Sequence, residues 1–319
     1  MNKFIKKIFI LASSFILLSG LLVISILWAY SNDLPDYKFL KNYKPPVSSK
    51  VYSGNGELVS DFSKEKRIFV PFSSIPKNVI NAFLSAEDKN FFSHPGVDAK
   101  GVIRAVINNI SNIISSKRLE GASTITQQVA KNFLLTNEVS FERKIKEAIL
   151  SFRIERYLDK NQILELYLNE IYLGFGSYGV ASASLNYFNK ALDELTLSES
   201  AFLAALPKAP NNYHPINKKE AALNRRNWVL NEMFQNNFIN FDELIFSRNE
   251  DLKTINRDEK EFYVARDFTE EIRKILNKKY GSKTLYKKGL SVRSTMNTFY
   301  QNQAYNALKW GLEEYDKRR

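Results

Sequence analysis

The 319-residue sequence carries 46 Lys and Arg against 34 Asp and Glu, a formal net charge of +12, and 44% of its residues are hydrophobic. This composition, with only 12 Gly and 9 Pro, excludes a disordered, collagen-like or low-complexity chain. The absence of cysteine excludes a disulfide framework, a thiol nucleophile and thiolate zinc sites, and 2 histidines leave little for an imidazole metal cluster. Any chemistry must therefore come from carboxylates, hydroxyls, amides or cations.

A long apolar run near the N-terminus predicts a membrane anchor. No charged residue occurs from Ile8 to Ala29, and these 22 residues would span about 33 Å as a helix, enough to cross a bilayer core. Lysines precede the run, so the positive-inside rule predicts a cytoplasmic tail and a single transmembrane helix over 1–30, with the rest of the chain outside. A cleaved signal peptide is the alternative, but its apolar core is normally only about 7 to 15 residues long.

The excess of positive charge suits a domain that lies beside anionic lipid headgroups. Nucleic acid is the rival partner for a basic chain. We expect no nucleic acid, because the chain is exported on this interpretation and carries no recognisable nucleic-acid-binding motif. A solvated lysine-rich surface without a partner is the simplest alternative.

The remaining sequence divides into a short stem and a long helical region. In the stem, 31–75, the segments 51–53 and 57–62 flank Asn55-Gly56, which predicts a β-hairpin. From Pro76 to about residue 240, apolar residues recur at helical spacing, which favours one mainly α domain. The first predicted helix starts near Pro76, and further helices are predicted over 98–114, 124–135, 141–158, 160–169, 178–188 and 196–206. Polar helices over 218–280, a strand over 290–295 and a final helix through Tyr315 complete the prediction.

The first candidate for chemistry is a pair of carboxylates, Glu87 and Asp88, at the end of a predicted helix. Aromatic residues and the turn His94-Pro95-Gly96 follow them, up to Asp98. The helix dipole disfavours negative charge at a C-terminus, so local propensity does not explain the pair. For a single glutamate, an ordinary solvated position is still the simpler interpretation.

A second polar block, 118–131, places hydroxyls and amides around a helix start. Ser123 fits an N-cap, and a helix N-terminus with hydroxyls and a lysine is also suited to anion binding. The N-cap interpretation leaves unexplained the polar run formed by Thr126, Gln127, Gln128 and Lys131.

A third block lies at 143–147. Arg143 and Lys144 share one helix face with Glu147, which on its own predicts an ordinary surface ion pair of about a few tenths of a kcal/mol. The run 174–179 satisfies the dinucleotide pattern GxGxxG, but no βαβ unit surrounds it, so we interpret it as a tight connection between helices.

Together, these blocks resemble the peptidoglycan glycosyltransferase module at the N-terminus of class A penicillin-binding proteins. The resemblance rests on Glu87-Asp88 with 91–98, on the run 121–128, and on 143–147, all in the family's order. The segments 163–169, 187–188 and 206–210 also match, so the resemblance covers about 75–215. The sequence departs from the family where glycine is common, at Ala122 and Asn189, and asparagine is the non-glycine residue that best tolerates a left-handed backbone.

The resemblance implies a mainly α, lysozyme-like glycosyltransferase domain over 76–240, preceded by the transmembrane anchor and the short β stem. Residues 241–319 are then a helical extension and linker, because 289–295 resemble the segment that leads into an acyl-serine transpeptidase domain. No Lys-Thr-Gly motif of such a domain follows. We therefore expect the chain to be the N-terminal part of a longer protein, truncated before that domain.

The implied reaction is polymerisation of lipid II into β-1,4-linked glycan strands, with inversion and release of polyprenyl pyrophosphate. It needs a base for the attacking hydroxyl and cations for the leaving pyrophosphate. By resemblance Glu87 is the general base, with a pKa that partial burial is expected to raise, and Glu147 is the second, donor-side carboxylate. The residues expected to contact sugar, phosphate or pyrophosphate are Asp88, Arg104, Ser123, Thr126, Gln127, Gln128, Lys131, Arg143 and Lys144.

The resemblance further implies that a divalent cation such as Mg²⁺ can take part, without indicating its ligands, and that no organic cofactor is needed. The expected partners are lipid II, the growing glycan, membrane lipid and a cell-wall synthesis complex, with the catalytic domain at the periplasmic face of the inner membrane. Phe133 to Phe141 either dip into the membrane interface or pack in a core. Two other functions stay open, a lysozyme-like enzyme that cleaves peptidoglycan with Glu87 as acid, and a non-catalytic scaffold for cell-wall assembly.

Overall fold

In the computed structural model, the described residues are 13, 14, 17, 18, 20, 21, 25, 28–43, 46, 49–62, 66–115, 121–136, 138, 140–255 and 265–319. They are mainly helical, as the spacing of apolar residues predicts. The chain divides into two compact units, of which the first contains 1–43 and 83–168 and the second contains 44–82 and 169–319.

The first unit is built from helices. It contains the end of α1 (Lys77–Glu87), α2 (Ala99–Ile114), α3 (Ile125–Leu134), α4 (Phe141–Glu155) and most of α5 (Lys160–Glu170). Helices α3 and α4 pack against each other. The buried apolar side chains that form its core include Phe83, Leu84, Phe91, Ile125, Val129, Leu150, Ile154, Ile163, Leu164 and Tyr167.

The second unit combines helices with two small sheets. Its helices are α6 (Val180–Phe188), α7 (Leu197–Ala205), α8 (Lys219–Gln235), α9 (Phe241–Asn249), α10 (Arg266–Lys287) and α11 (Thr298–Lys317). Helix α8 packs against α7 and α9. Its buried Arg226 donates to the carbonyl oxygens of Arg248 and Glu250, at 2.9 and 2.7 Å, and so satisfies the C-terminal end of α9.

The strands are β1 (Lys50–Tyr52), β2 (Leu58–Asp61), β3 (Lys66–Arg67), β4 (Ser177–Tyr178) and β5 (Ser291–Arg293). β1 and β2 pair antiparallel, so the hairpin predicted in the stem is confirmed. β1 also pairs in parallel with β5, in the order β2-β1-β5, and β3 pairs in parallel with β4. The stem therefore supplies two of the three strands of this sheet, and the third strand, β5, comes from residues near the C-terminus of the sequence.

Local sequence accounts for most helix ends. At the start of α7, Thr196 and Glu199 form a capping box, with Thr196 Oγ1 accepting from the backbone N–H of Glu199 at 3.2 Å. The N-cap of α3 is Thr124 rather than Ser123, because Thr124 forms a reciprocal capping box with Gln127. At the end of α6, Asn189 adopts the left-handed conformation (φ 53°, ψ 39°) that its residue type tolerates.

The connection 174–179 joins α5 to α6, as predicted, and contains the strand β4 where the sequence predicts the first residues of a helix. Gly179 sets the later start of α6, at Val180. Its φ is +80°, and a Cβ at this position would lie 2.5 Å from the carbonyl oxygen of Asn169. The positive φ is incompatible with a right-handed helix, so α6 begins only at Val180, and the close approach to Asn169 requires glycine at position 179.

Among the described residues, no helix is both long enough and apolar enough to span a membrane. Most of the apolar run 8–29, from which the anchor is predicted, lies outside the described residues. The segment 116–120 of the second polar block also lies outside them.

Candidate active site

Glu87 is the last residue of α1, and its side chain is half-buried. The side-chain amide of Gln128, in the first turn of α3, donates to Glu87 Oε2 at 2.7 Å. This bond favours the ionised carboxylate and limits its rotation. Two residues that the sequence singles out for different tasks are therefore in direct contact.

Asp88 is only 7% exposed, and both of its carboxylate oxygens are engaged. His94 Nε2 lies 3.0 Å from each oxygen, and the backbone N–H of Ile125 donates to Asp88 Oδ2 at 2.9 Å. Because His94 Nδ1 accepts from the backbone N–H of Gly96, the imidazole proton lies on Nε2 and is donated to Asp88. The N-terminus of α3 does bind an anion, but that anion is the Asp88 side chain.

Gly96 brings the turn after His94 close to α4. Its φ is +107°, and a Cβ there would lie 2.8 Å from the carbonyl carbon and oxygen of Ser151. Thr124 Oγ1 donates to the carbonyl oxygen of Gly96 at 2.6 Å, which also ties the turn to the start of α3. Only glycine accommodates both the backbone angle and this approach.

A buried polar network holds the same turn from the other side. Lys160 Nζ donates to the carbonyl oxygen of His94 and to Glu155 Oε1, each at 2.7 Å. Thr126 Oγ1 donates to the same Glu155 oxygen at 2.6 Å, and Lys160 lies over the ring of Phe91. Thr126 is fully buried and Gln127 is 4% exposed, so these two predicted substrate ligands face the interior.

The third block forms a charged cluster around Glu147, which is 2% exposed. Arg143 bonds to Glu147 Oε1, and Lys144 Nζ donates to Glu147 Oε2 at 2.7 Å. Lys144 also donates to Ser123 Oγ at 2.6 Å, next to the N-cap of α3. The cluster is buried around its carboxylate, so the surface ion pair expected from spacing alone is wrong for Glu147.

The cations of the first unit differ in how far they are already paired. Arg143 is bonded to Glu147 and to the carbonyl oxygen of Glu138, whereas 43% of the Lys144 side chain is exposed. Lys131 is half-buried and has no carboxylate partner among the residues that the structure describes. Arg104 is exposed on α2, where it lines a shallow depression with Lys100.

The region predicted to meet either lipid or core is partly exposed and partly packed. Phe141 is 81% exposed, while Phe133 is half-buried and packs edge-on against Tyr43, with ring centroids 4.8 Å apart. Asn137 and Val139 lie outside the described residues. Helix α2 exposes a longer apolar face, formed by Val102, Ile103, Val106, Ile107, Ile110 and Ile113.

The side chains around the site do not fit a protein-held metal ion. Within the described ranges, no group of three or more His, Asp or Glu residues is arranged to hold one. Asp88 is bonded to His94, and Glu147 is bonded to Arg143 and Lys144. The reaction proposed below therefore contains no step on a protein-bound metal ion.

Three residues that support the site were not singled out from sequence. Lys160 and Glu155 complete the buried network, and Tyr167 is a 1% exposed tyrosine of α5. Burial, followed by the carboxylates of Glu87 and Asp88, raises the pKa of Tyr167 well above its usual value. The family-like segment 163–169 was the available signal for Tyr167, whereas nothing in the spacing of charges distinguishes Glu155.

The family follows from a match to a known protein-family model. Residues 55–234, more than half of the chain, match the model described as transglycosylase. The chain belongs to the transglycosylase family. This membership confirms the resemblance of the three polar blocks to the peptidoglycan glycosyltransferase module, and the matched region is an enzyme domain of that class.

The similar proteins are penicillin-binding proteins. Penicillin-binding protein 1A of Rickettsia typhi is 46% identical over 323 residues, which cover 99% of this chain and 40% of the relative. That of Aquifex aeolicus is 43% identical, covering 93% of this chain and 40% of the relative. The crystal structure of penicillin-binding protein 1A from Haemophilus influenzae matches with a TM-score of 0.54 at 26% identity, over 87% of this chain and 31% of that one. The chain thus spans about two fifths of the length of its curated relatives.

Proposed function

We propose that this chain polymerises lipid II into β-1,4-linked glycan strands and releases polyprenyl pyrophosphate. The observation that carries the proposal is the half-buried Glu87 carboxylate, held by Gln128 at 2.7 Å. Helix α4, which packs against the helix of Gln128, carries the cations around Glu147. The first unit therefore offers both a base for a hydroxyl and positive charge for a leaving pyrophosphate.

In the proposed reaction, the 4-hydroxyl oxygen of the acceptor sugar attacks the anomeric carbon of the donor. The bond from that carbon to the pyrophosphate oxygen breaks, and its electron pair leaves with the pyrophosphate. Glu87 takes the hydroxyl proton, and no protonating acid is needed because the leaving group is already activated. Attack opposite the leaving group inverts the anomeric configuration.

Two effects oppose each other at Glu87. Partial burial raises the pKa of a carboxyl group, whereas the hydrogen bond from Gln128 stabilises the ionised form. The upward pKa shift is a prediction. An acid limb of kcat/KM that stays near about pH 4 would contradict it.

We assign the leaving pyrophosphate to cations that are exposed to solvent or that lack a carboxylate partner among the described residues. Lys131 lacks a carboxylate partner among the described residues, and Lys144 is 43% exposed. Arg104 is a third, exposed candidate on α2. Arg143 and Ser123 are already bonded to Glu138 or to the Glu147 cluster, so we assign them the task of orienting Lys144 and Glu147.

The buried members of the predicted substrate set have a different task in this proposal. Asp88 is bonded to His94, Thr126 to Glu155, and Gln127 to the backbone of Thr124. These bonds engage the Asp88 carboxylate, the Thr126 hydroxyl and the side-chain oxygen of Gln127. We propose that they position Glu87 and Gln128, which act on the substrate directly.

A divalent cation such as Mg²⁺ stays a prediction. Since the described carboxylates do not form a metal site, we propose that any such cation binds through the pyrophosphate of the substrate. Removal of divalent cations with a chelator should then raise KM for lipid II. Unfolding temperature without substrate should stay unchanged.

We propose a single-pass protein of the inner membrane with its N-terminus in the cytoplasm and the catalytic domain on the periplasmic side. The apolar run 8–29 supports this placement. Directly after it, Asp33 lies 3.4 Å from Lys146, and Ser31 accepts from Arg153, so α4 is tied to the residues that leave the run. The exposed apolar face of α2 suits lipid contact as well. Association with a cell-wall synthesis complex is part of the same proposal.

The decisive experiment incubates the detergent-solubilised full chain with labelled lipid II and separates the products by size. Glu87→Gln should reduce polymer formation by about 100-fold or more. The matched control is Glu142→Gln, which changes an exposed carboxylate on α4 and should retain wild-type activity. Wild-type rates from Glu87→Gln would overturn the role of Glu87.

The two alternative functions give different products. A lysozyme-like enzyme would shorten preformed glycan and leave lipid II intact, although Lys131 and Lys144 have no evident task in glycoside cleavage. A scaffold would bind lipid II without turnover in wild type and variant alike. Either result would overturn the proposed polymerase.

A further inference from the structure

Tyr167 is a buried tyrosine whose hydroxyl has no partner. Its residue is 1% exposed, and among the residues that the structure describes no group forms a hydrogen bond with its hydroxyl oxygen. A buried hydroxyl without a partner lowers stability, and phenylalanine would fill the same space without that cost. Folding alone therefore gives no reason for the oxygen atom.

The surroundings of Tyr167 connect it to the candidate base. Its ring packs edge-on against Phe83, with ring centroids 6.2 Å apart, and Phe83 lies one helical turn before Glu87 on α1. Burial, followed by the negative charges of Glu87 and Asp88, raises the pKa of Tyr167 well above its usual value. Among the described residues, further titratable groups at these segments include His94, bonded to Asp88, and Lys160, which begins α5 and is paired with Glu155.

A hydroxyl proton is free to rotate, and without an acceptor in contact it turns toward the nearest negative charge. In a buried, low-dielectric position, the O–H dipole interacts strongly with a nearby charge. It therefore stabilises negative charge at the end of α1 without replacing the Gln128 amide, which holds Glu87 directly.

We propose that Tyr167 is a positioning residue for the base, whose buried O–H is directed at the carboxylates at the end of α1 and keeps Glu87 ionised and oriented for proton transfer. This proposal rests on the proposed role of Glu87 as general base. It is independent of any contact between Tyr167 and the substrate. Loss of the hydroxyl should therefore change the proton-transfer step and leave substrate binding intact.

The test is Tyr167→Phe in the full chain, assayed with labelled lipid II across a range of pH. We expect kcat to fall by about tenfold, because the base is less well oriented, while KM stays within about twofold. The acid limb of kcat/KM should move up by about half a pH unit, since removal of the dipole disfavours ionised Glu87. The unfolding temperature should be unchanged or higher.

Two matched variants separate this role from a structural one. Tyr187→Phe removes a buried hydroxyl that donates to the carbonyl oxygen of Leu173 at 2.7 Å, and should lower the unfolding temperature without moving the acid limb. Ser200→Ala removes another buried hydroxyl without a partner among the described residues. It should change neither the unfolding temperature nor the acid limb of kcat/KM.

Three outcomes decide the proposal. A lower kcat with a displaced acid limb and a retained unfolding temperature supports it. Wild-type kinetics from Tyr167→Phe would overturn it, and so would a lowered unfolding temperature with an unmoved acid limb. If the wild type itself forms no polymer, both the proposed function and the role of Tyr167 fail. If the wild type is active and Tyr167→Phe has the same kinetics, only the role of Tyr167 is overturned.

Discussion

The two carboxylates of the candidate site have opposite surroundings. Glu87 is half-buried and accepts a hydrogen bond from a neutral amide, whereas Glu147 is 2% exposed and contacts two cations. The Gln128 amide brings no charge to Glu87, while Arg143 and Lys144 place two positive charges on Glu147. The contrast supports the proposed roles, which are proton transfer for Glu87 and the arrangement of positive charge for Glu147.

The supports of the two carboxylates also differ. Behind Glu87, the turn at His94 is held by Asp88, Thr124 and Lys160, all within buried structure. Around Glu147, the Lys144 side chain is 43% exposed and can reach a ligand. The first region is built for orientation, and the second keeps a donor available.

The largest effect on stability should come from Glu147→Gln. It leaves Arg143 and Lys144 without their buried counter-charge, and we expect a loss of about 3 to 5 kcal/mol in the free energy of unfolding. Glu87→Gln should cost less than about 1 kcal/mol, because the amide can still accept from Gln128. Urea unfolding of both variants measures the two losses. Equal losses in unfolding free energy would contradict the difference between the surroundings of Glu87 and Glu147.

The second largest loss of stability should come from Gly96→Ala. The variant combines a φ of +107° with a Cβ 2.8 Å from the backbone of Ser151, and we expect a loss of about 2 to 3 kcal/mol in unfolding free energy. The matched variant is Gly56→Ala, where φ is +92° but nothing lies within 4 Å, and it should cost about 1 kcal/mol. If both variants lose the same amount in urea unfolding, the close approach to α4 is not what requires glycine at position 96.

Replacing one lysine in each region should separate stability from binding. Lys160→Met removes the donor to His94 and Glu155 and should lower the unfolding free energy by about 2 kcal/mol with KM unchanged. Lys144→Met should cost less than about 1 kcal/mol but raise KM for lipid II by about fivefold, because it removes a partly exposed cation. Steady-state kinetics measure KM, and thermal unfolding measures the loss of stability, for each variant. If Lys160→Met raised KM and Lys144→Met lowered stability instead, the roles of the two regions would be exchanged.

The smallest effect concerns Asp98, which precedes α2. Burial raises the pKa of this carboxyl, but the hydrogen bonds from Asn90 and from the backbone N–H groups of Gly101 and Lys100 together lower it below the ordinary value. Because the folded pKa is depressed, the stabilisation is present above the unfolded pKa, about 3.9, and is lost as pH falls through the folded value. Unfolding curves of Asp98→Asn should show a smaller loss of stability below about pH 4 than wild type.

Helical periodicity made most of the fold predictable, because burial of one helix face leaves a spacing that can be read locally. The helix predicted over 98–114 is observed as Ala99–Ile114, and the one over 124–135 as Ile125–Leu134. The start of α6 could not be predicted in this way, because it depends on the close approach of Gly179 to the backbone of Asn169, which lies on the other side of the connection between α5 and α6.

The candidate site was predictable as a set of residues but not as a set of roles. The sequence alone placed Glu87, Gln128 and the 143–147 block on helices and, through their order, in a glycosyltransferase family. Which side chains face inward was decided by tertiary packing, which buries Thr126 and Gln127 and turns the start of α3 toward Asp88. The physical reason is that residue type and spacing are local, whereas burial and hydrogen-bond partners depend on segments that meet only in the folded chain.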